Sequence, residues 1–138
     1  MRTIRVFLGT WMVALLAGVV PLAVSQDRIS APHETYTYDV STQKVTTGIV
    51  LEMKDYKCPV TGTAGSHLTL KRSGDIIEVH LAPATFLKQY EIVINKGDEI
   101  AIEGAPILFE GKPALLAKTV AVGKLTYAFR DAKGRPLW

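Results

Sequence analysis

Residues 67–81 read HLTLKRSGDIIEVHL, and this stretch decides the fold of the chain. Apolar and polar residues alternate on both sides of Ser73-Gly74. Alternation at a period of two indicates β-strands, and a two-residue connection that ends in glycine is a hairpin signal. The stretch therefore predicts an antiparallel β-hairpin.

Placing Arg72 opposite Asp75 sets the register of this hairpin. The pairs that follow are Lys71 with Ile76, Leu70 with Ile77, Thr69 with Glu78, Leu68 with Val79 and His67 with His80. This register collects the aliphatic residues on one face, whereas a slip by one residue would send half of them into water. The opposite face is polar and places two imidazoles side by side, at roughly 5 Å between Cβ atoms. We expect it to be an outer, exposed face.

The imidazoles of His67 and His80, together with the thiol of Cys58, are the candidate metal ligands. The loop that carries Cys58 leads directly into the first strand of the hairpin. A thiolate and two imidazoles suit zinc or copper ions by ligand softness. The spacing Cys-x8-His-x12-His matches no established metal motif, so the alternative is two surface histidines beside a thiol tucked behind Tyr56 or Pro59.

The N-terminus predicts export. Arg2 and Arg5 precede an uncharged run over residues 6–24, and Ala23 and Ser25 supply the small residues of a signal-peptidase site. We expect residues 1–25 to be a signal peptide, cleaved before Gln26, and the mature protein to be periplasmic or secreted. The alternative is an uncleaved anchor, because 19 uncharged residues approach the length of a membrane span; this would be its one membrane attachment.

The charge of the mature protein disfavours nucleic acid as a partner. Removing residues 1–25 takes away two arginines and no acid, which leaves 14 basic against 13 acidic residues. Proteins that bind nucleic acid through its phosphates need a clustered positive surface. Here the basic residues are scattered among acids.

The remaining chain predicts an all-β domain with one short helix. We expect a flexible leader over residues 26–42, a domain over 43–138 and a long connection over 54–66. Strands are expected at 44–53, at 67–72 and 75–81 in the hairpin, at 99–109, at 112–122 and at 123–129, with a helix at 83–90. A helix between the third and fourth strands is the order of the OB-fold, a five-stranded Greek-key barrel, here with an extra C-terminal strand. A β-sandwich is the alternative.

Three short runs carry a resemblance. They are EVHLAPA at 78–84, GKPA at 111–114 and RDAKGRPLW at 130–138. With its signal peptide and single barrel, the chain resembles the small exported bacterial OB-fold proteins of the periplasm over residues 43–138. The resemblance implies the fold, the compartment and a binding or stress-related accessory role, and it implies no site residue.

These patterns together favour an exported, non-catalytic OB-fold module that binds a protein partner or a small ligand such as a zinc or copper ion. A second hypothesis is a domain that binds single-stranded nucleic acid or oligosaccharide, but such faces use stacking rings. We expect the large aromatic residues instead to fill the core or close the barrel ends; they are Phe86, Phe109, Phe129 and Trp138. In the predicted helix, Phe86, Leu87 and Tyr90 lie at helical spacing and should plug one end of the core.

A third hypothesis makes Cys58 a nucleophile with His67 or His80 as its base. This chemistry needs the nucleophile, the base and an orienting group to converge. The sequence supplies no orienting group beyond Glu78, which we expect to pair with Thr69 across the hairpin. We therefore predict that the protein is not an enzyme and has no catalytic residues.

Overall fold

The computed structural model describes residues 36–138, so the predicted signal peptide and the leader up to residue 35 lie outside the described residues. The described part is all-β with one short helix, as predicted. Its elements are a 3₁₀ turn at Val40–Thr42, β1 at Lys44–Lys57, β2 at Ala64–Lys71, β3 at Ile76–Pro83, α1 at Ala84–Gln89, β4 at Glu99–Phe109, β5 at Lys112–Val122 and β6 at Leu125–Ala128. Within these residues no helix has the length and apolar character of a membrane span.

The strands form one sheet that returns on itself. Strand β1 pairs antiparallel with β2 and with β4, β2 pairs with β3, and β4 pairs with β5. A short parallel pairing between β3 and β5 completes a closed circuit of five strands, and β6 adds to β5 outside that circuit. Helix α1 lies between β3 and β4, and the extra strand comes last, both as predicted.

The register of the hairpin is confirmed. His67 pairs with His80, Leu70 with Ile77, and the other pairs follow as predicted. The Arg72 N–H donates to the Asp75 carbonyl at 2.9 Å, which closes the two-residue turn. Gly74 has a φ of 92°, a conformation that glycine adopts without steric cost.

The predicted connection over residues 54–66 is too long. Strand β1 continues to Lys57 and β2 begins at Ala64, so the loop spans only residues 58–63. The extension is hidden in the sequence because Lys54, Asp55 and Lys57 are exposed polar residues, although they pair with β2.

The packed domain also begins earlier than residue 43. Tyr38 is buried, and its hydroxyl donates to Gln43 Oε1 at 3.2 Å. Its ring lies so close to Gly134 that a Cβ on that glycine would meet Tyr38 Cδ1. The described end of the predicted leader is therefore part of the folded domain.

Three of the five aromatic residues that were predicted to be internal are buried. Phe86, Phe109 and Phe129 are buried. Tyr90 and Trp138 are exceptions, at 58% and 36% exposed. Tyr90 follows the last turn of α1 and contacts the ring of Phe86, and Trp138 contacts Phe86 and the guanidinium of Arg130.

Two apolar layers enclose the hairpin. The aliphatic face packs into the main core, whose members include Val50, Leu68, Leu70, Val79, Leu81, Ile100, Ile102, Leu115, Val120 and Phe129. A smaller cluster contains Cys58, Phe109 and Ala114, with Tyr36, Tyr56, Val60 and Ile107 packed around it. Because side chains alternate along a strand, this smaller cluster meets the face that carries the imidazoles. We call it the covering layer.

Leu70→Ala should destabilise the domain by about 2–5 kcal/mol, because Leu70 is fully buried and its truncation leaves a cavity. Lys71→Ala is the matched control: it removes an exposed side chain from the next position and should change the stability by less than about 0.5 kcal/mol. Urea denaturation of both variants measures the two free energies of unfolding. Similar losses in both would contradict the register.

Candidate metal centre

The predicted ligands Cys58, His67 and His80 lie together, but they are not on the surface. Their exposures are 1%, 2% and 1%. The expectation of an exposed outer face is therefore wrong for the end of the face that carries the histidines, whereas Lys71 and Ile76 near the turn are exposed. The face is polar in sequence, yet the covering layer folds over it, and local alternation carries no information about what a distant segment will cover.

The strand pairing brings the two imidazoles together. His67 lies opposite His80, with ring centroids 4.3 Å apart and a register shift just before His67. The ring centroid of Tyr56 lies 3.8 Å from that of His67, with the rings edge to face, and the ring centroid of Phe109 lies 4.4 Å from that of His80. Each imidazole is thus in contact with an aromatic ring.

The loop after β1 places the thiol. The Cys58 N–H donates to the Thr63 carbonyl at 3.0 Å, and the Gly62 N–H donates back to the Cys58 carbonyl at 2.9 Å. Gly62 has a φ of 70°, so glycine suits this tight turn. The turn folds Cys58 back towards the hairpin.

The distances between the candidate ligand atoms approach those of a metal site. Cys58 Sγ lies 3.4 Å from His80 Nδ1, and one ligand atom from each of the three residues lies within 4.8 Å of the others. With metal–sulfur and metal–nitrogen bonds of about 2.3 and 2.0 Å, bound ligands would be roughly 3.5–3.8 Å apart. A contraction of about 1 Å at the widest separation would complete such a site.

Gly65 permits this close approach. A Cβ at position 65 would lie 3.1 Å from Cys58 Cβ and 3.1 Å from His67 Nε2. Both distances are tighter than ordinary side-chain packing allows. The same geometry places Nε2 of His67 and Cβ of Cys58 beside the same point next to Gly65.

Glu78, which was predicted to pair with Thr69, also belongs to the site. Its Oε1 lies 3.2 Å from His67 Nδ1 and 3.6 Å from His80 Nε2, and it accepts a hydrogen bond from the Tyr56 hydroxyl. Thr69 does lie opposite Glu78, as predicted. However, the carboxylate turns toward Tyr56 and the imidazoles. The period of two, which puts residues 78 and 80 on one face, was the available signal.

Three imidazole nitrogens lack hydrogen-bond partners. Among the described residues, both nitrogens of His67 and Nε2 of His80 are buried without one. Nδ1 of His67 is close to Glu78, but it is not aligned as a hydrogen bond requires. A buried, unsatisfied polar group costs about 1–3 kcal/mol, so such groups call for an explanation, and a bound ion is one.

Burial sets the protonation of the site. It lowers the pKa of His67, against the attraction of Glu78 and Asp55, and it lowers the pKa of His80 to about 4, with help from His67. Neutral imidazole is the form that binds metal. Burial also raises the pKa of Cys58, while N–H groups of the following loop favour its thiolate. A metal would have to displace the thiol proton.

Comparisons with known proteins identify one family. The profile of the MamS/MamX magnetosome protein family matches residues 42–127. That span runs from the 3₁₀ turn to β6 and includes all three candidate ligands and Glu78. A search of curated proteins finds no match to the chain.

The metal-free protein should lose stability as the pH falls from about 6.5 to 4. The pKa of each imidazole is lower in the folded protein than the usual 6.5, so the unfolded chain binds more protons in this range. For His80 the shift to about 4 corresponds to roughly 3 kcal/mol. Urea denaturation at several pH values, with a chelator present, measures the dependence.

His80→Gln keeps a polar side chain but does not titrate, so it should make this dependence shallower. His33→Gln changes a histidine of the predicted leader, outside the described residues, and should leave it unchanged. An equal slope in His80→Gln and the parent protein would show that His80 does not titrate as its burial implies.

Proposed function

The chain belongs to the MamS/MamX magnetosome protein family, and on that premise we propose that it is an exported, non-catalytic OB-fold module that binds a soft metal ion. The ligands are Cys58, His67 and His80, and the ion is zinc or copper. The family name associates its members with the magnetosome, and we propose that this protein acts in that setting.

The single observation that carries the proposal is the buried cluster of one thiol and two imidazoles. Surface histidines would be hydrated, but these imidazoles are buried, and three of their four ring nitrogens have no hydrogen-bond partner in the described chain. A coordinated ion would satisfy the nitrogens that face it. The cluster is also too enclosed for a protein side chain to enter, which favours an ion over a protein partner as its ligand.

The OB-fold assignment rests on connectivity. Strands β1, β2, β3, β5 and β4 follow one another around the circuit, and the helix lies between β3 and β4. This order supports the proposal of a five-stranded Greek-key barrel. In such barrels β2 and β3 contribute to the ligand-binding face, and here they carry His67 and His80.

The enclosed site disfavours the two other hypotheses. A nucleophilic cysteine needs access and a lowered pKa, whereas Cys58 is buried and its pKa is raised. Stacking on bases or sugars would require exposed rings, yet both imidazoles are covered. The near-zero charge of the mature chain likewise gives no support to phosphate binding.

Export is proposed from the N-terminal pattern of the sequence. The product recovered from the periplasm or medium should begin at Gln26, and N-terminal sequencing with intact mass measures this directly. Recovery in the membrane fraction with residues 1–25 still attached would favour the uncleaved anchor.

The metal proposal predicts one bound ion per chain in calorimetric titrations of the purified protein with Zn²⁺. Affinity should weaken below about pH 6, because protons compete for the ligands. His67→Ala and His80→Ala should each remove most of the affinity, since two ligands alone bind weakly.

His33→Ala is the matched control for these variants, because it removes an imidazole of the predicted leader, and it should bind as the parent does. Thermal melts of the metal-free variants establish that each is folded before it is titrated. Parent-like binding in both His67→Ala and His80→Ala would refute the site.

A further inference from the structure

We propose that the site is built for copper rather than zinc, with Cys58 Sγ, His67 Nε2 and His80 Nδ1 as a three-coordinate ligand set and Glu78 as the group that orients both imidazoles. This inference rests on the proposed metal-binding function and names the ion. It follows from the number of ligands, their burial against aromatic rings and the arrangement of the ring nitrogens.

The number of ligands bears on which ion the site can hold. Within residues 36–138, Cys58, His67 and His80 form the one group of three or more side chains with metal-ligating atoms in mutual reach. Structural zinc sites use four protein ligands, and catalytic zinc sites use three together with a water. A zinc ion here would therefore need a water as its fourth ligand.

The side chains packed against the three ligands leave little space for this water. The rings of Tyr56 and Phe109 lie against the two imidazoles, and Gly65 packs so closely that a single added Cβ would crowd Cys58 and His67. All three ligands are at most 2% exposed. A dry site with three soft ligands suits Cu⁺, and a trigonal set of two histidines and one cysteine is a known environment for Cu²⁺ as well.

The Cys58 thiolate can bind Cu²⁺ without reducing it. Free thiols reduce Cu²⁺ when two of them can join in a disulfide, and the electrons then pass to the metal. This chain has one cysteine, and it is buried. A second thiol cannot reach it in the folded protein, so the thiolate can remain a ligand of Cu²⁺.

The positions of the ring nitrogens indicate which atoms are the metal ligands. Nδ1 of His67 and Nε2 of His80 both face Oε1 of Glu78, at 3.2 and 3.6 Å. If each of these nitrogens carries the proton, both N–H groups lie beside the carboxylate, and the opposite nitrogens are free to bind metal. Those are His80 Nδ1, which lies 3.4 Å from Cys58 Sγ, and His67 Nε2, which lies next to Gly65 beside the same point as Cys58 Cβ. Carboxylates commonly orient metal-binding imidazoles in this way, and Tyr56 holds this one by its hydroxyl.

The test is anaerobic titration of the metal-free mature protein with copper(II) sulfate and, separately, with Cu⁺ supplied as its acetonitrile complex. Cu²⁺ should bind one to one and produce an intense visible band from thiolate-to-copper charge transfer. Cu⁺ should also bind one to one, and excess Zn²⁺ should not displace it.

Three variants separate the roles of the residues. Cys58→Ser is nearly isosteric and should abolish the band. Glu78→Gln should keep the band but weaken copper binding by about 10–100-fold, the usual effect of losing a group that orients a ligand. His33→Ala is the matched control and should change neither measurement. Thermal melts without metal show whether each variant is folded.

The outcomes distinguish this inference from the proposed function. Zinc binding that depends on Cys58, without a copper charge-transfer band, would overturn the copper assignment and leave the metal site standing. Binding that is lost in Glu78→Gln and retained in Cys58→Ser would place the ion on the carboxylate side and overturn the ligand set. If neither metal binds, both the inference and the proposed function are wrong.

Discussion

The antiparallel pairing of His67 with His80 is the constraint on which the rest of the site depends. In this register the aliphatic residues of the hairpin enter the main core, so the imidazoles must point the other way. A second layer then closes over them, formed by the end of β1, the loop that carries Cys58 and the end of β4. The strand pairing and the covering layer together convert two neighbouring histidines into a buried pair beside a thiol.

This burial is unfavourable for the metal-free protein. An aliphatic side chain would pack in this interior at a lower cost than imidazole nitrogens without hydrogen-bond partners or a thiol that resists ionisation. A fold that retains such groups in its interior departs locally from what stability alone favours, and such departures are expected at functional sites. Binding of an ion by the folded protein alone would also stabilise the fold, which couples the two processes.

Glu78 lies at the boundary between the surface and the buried site. Its side chain is 37% exposed, yet one of its oxygens contacts both buried imidazoles. The carboxylate favours protonation of these rings, whereas burial opposes it more strongly. The rings are therefore held neutral, while the nearby carboxylate biases which nitrogen of each ring carries the proton.

The pattern of local alternation was enough to predict the hairpin, its turn and its register, because the penalty for a slip is set by residues that are neighbours in sequence. It also predicted the order of strands and the position of the helix. It did not reveal the full length of β1, because polar residues on an exposed strand face look like those of a loop. The exposure of Tyr90 likewise depends on where the chain turns after α1.

The sequence by itself therefore determined that the chain is all-β in its described part, that His67 faces His80, and which three residues are candidate ligands. Only the tertiary structure decided that these residues are buried, that Cys58 reaches His80, and that Glu78 contacts both imidazoles. The physical reason is the range of the interactions. Strand register follows from side chains a few residues apart, whereas the covering of a polar face depends on segments from distant parts of the chain, such as Phe109, whose approach leaves no periodic signal.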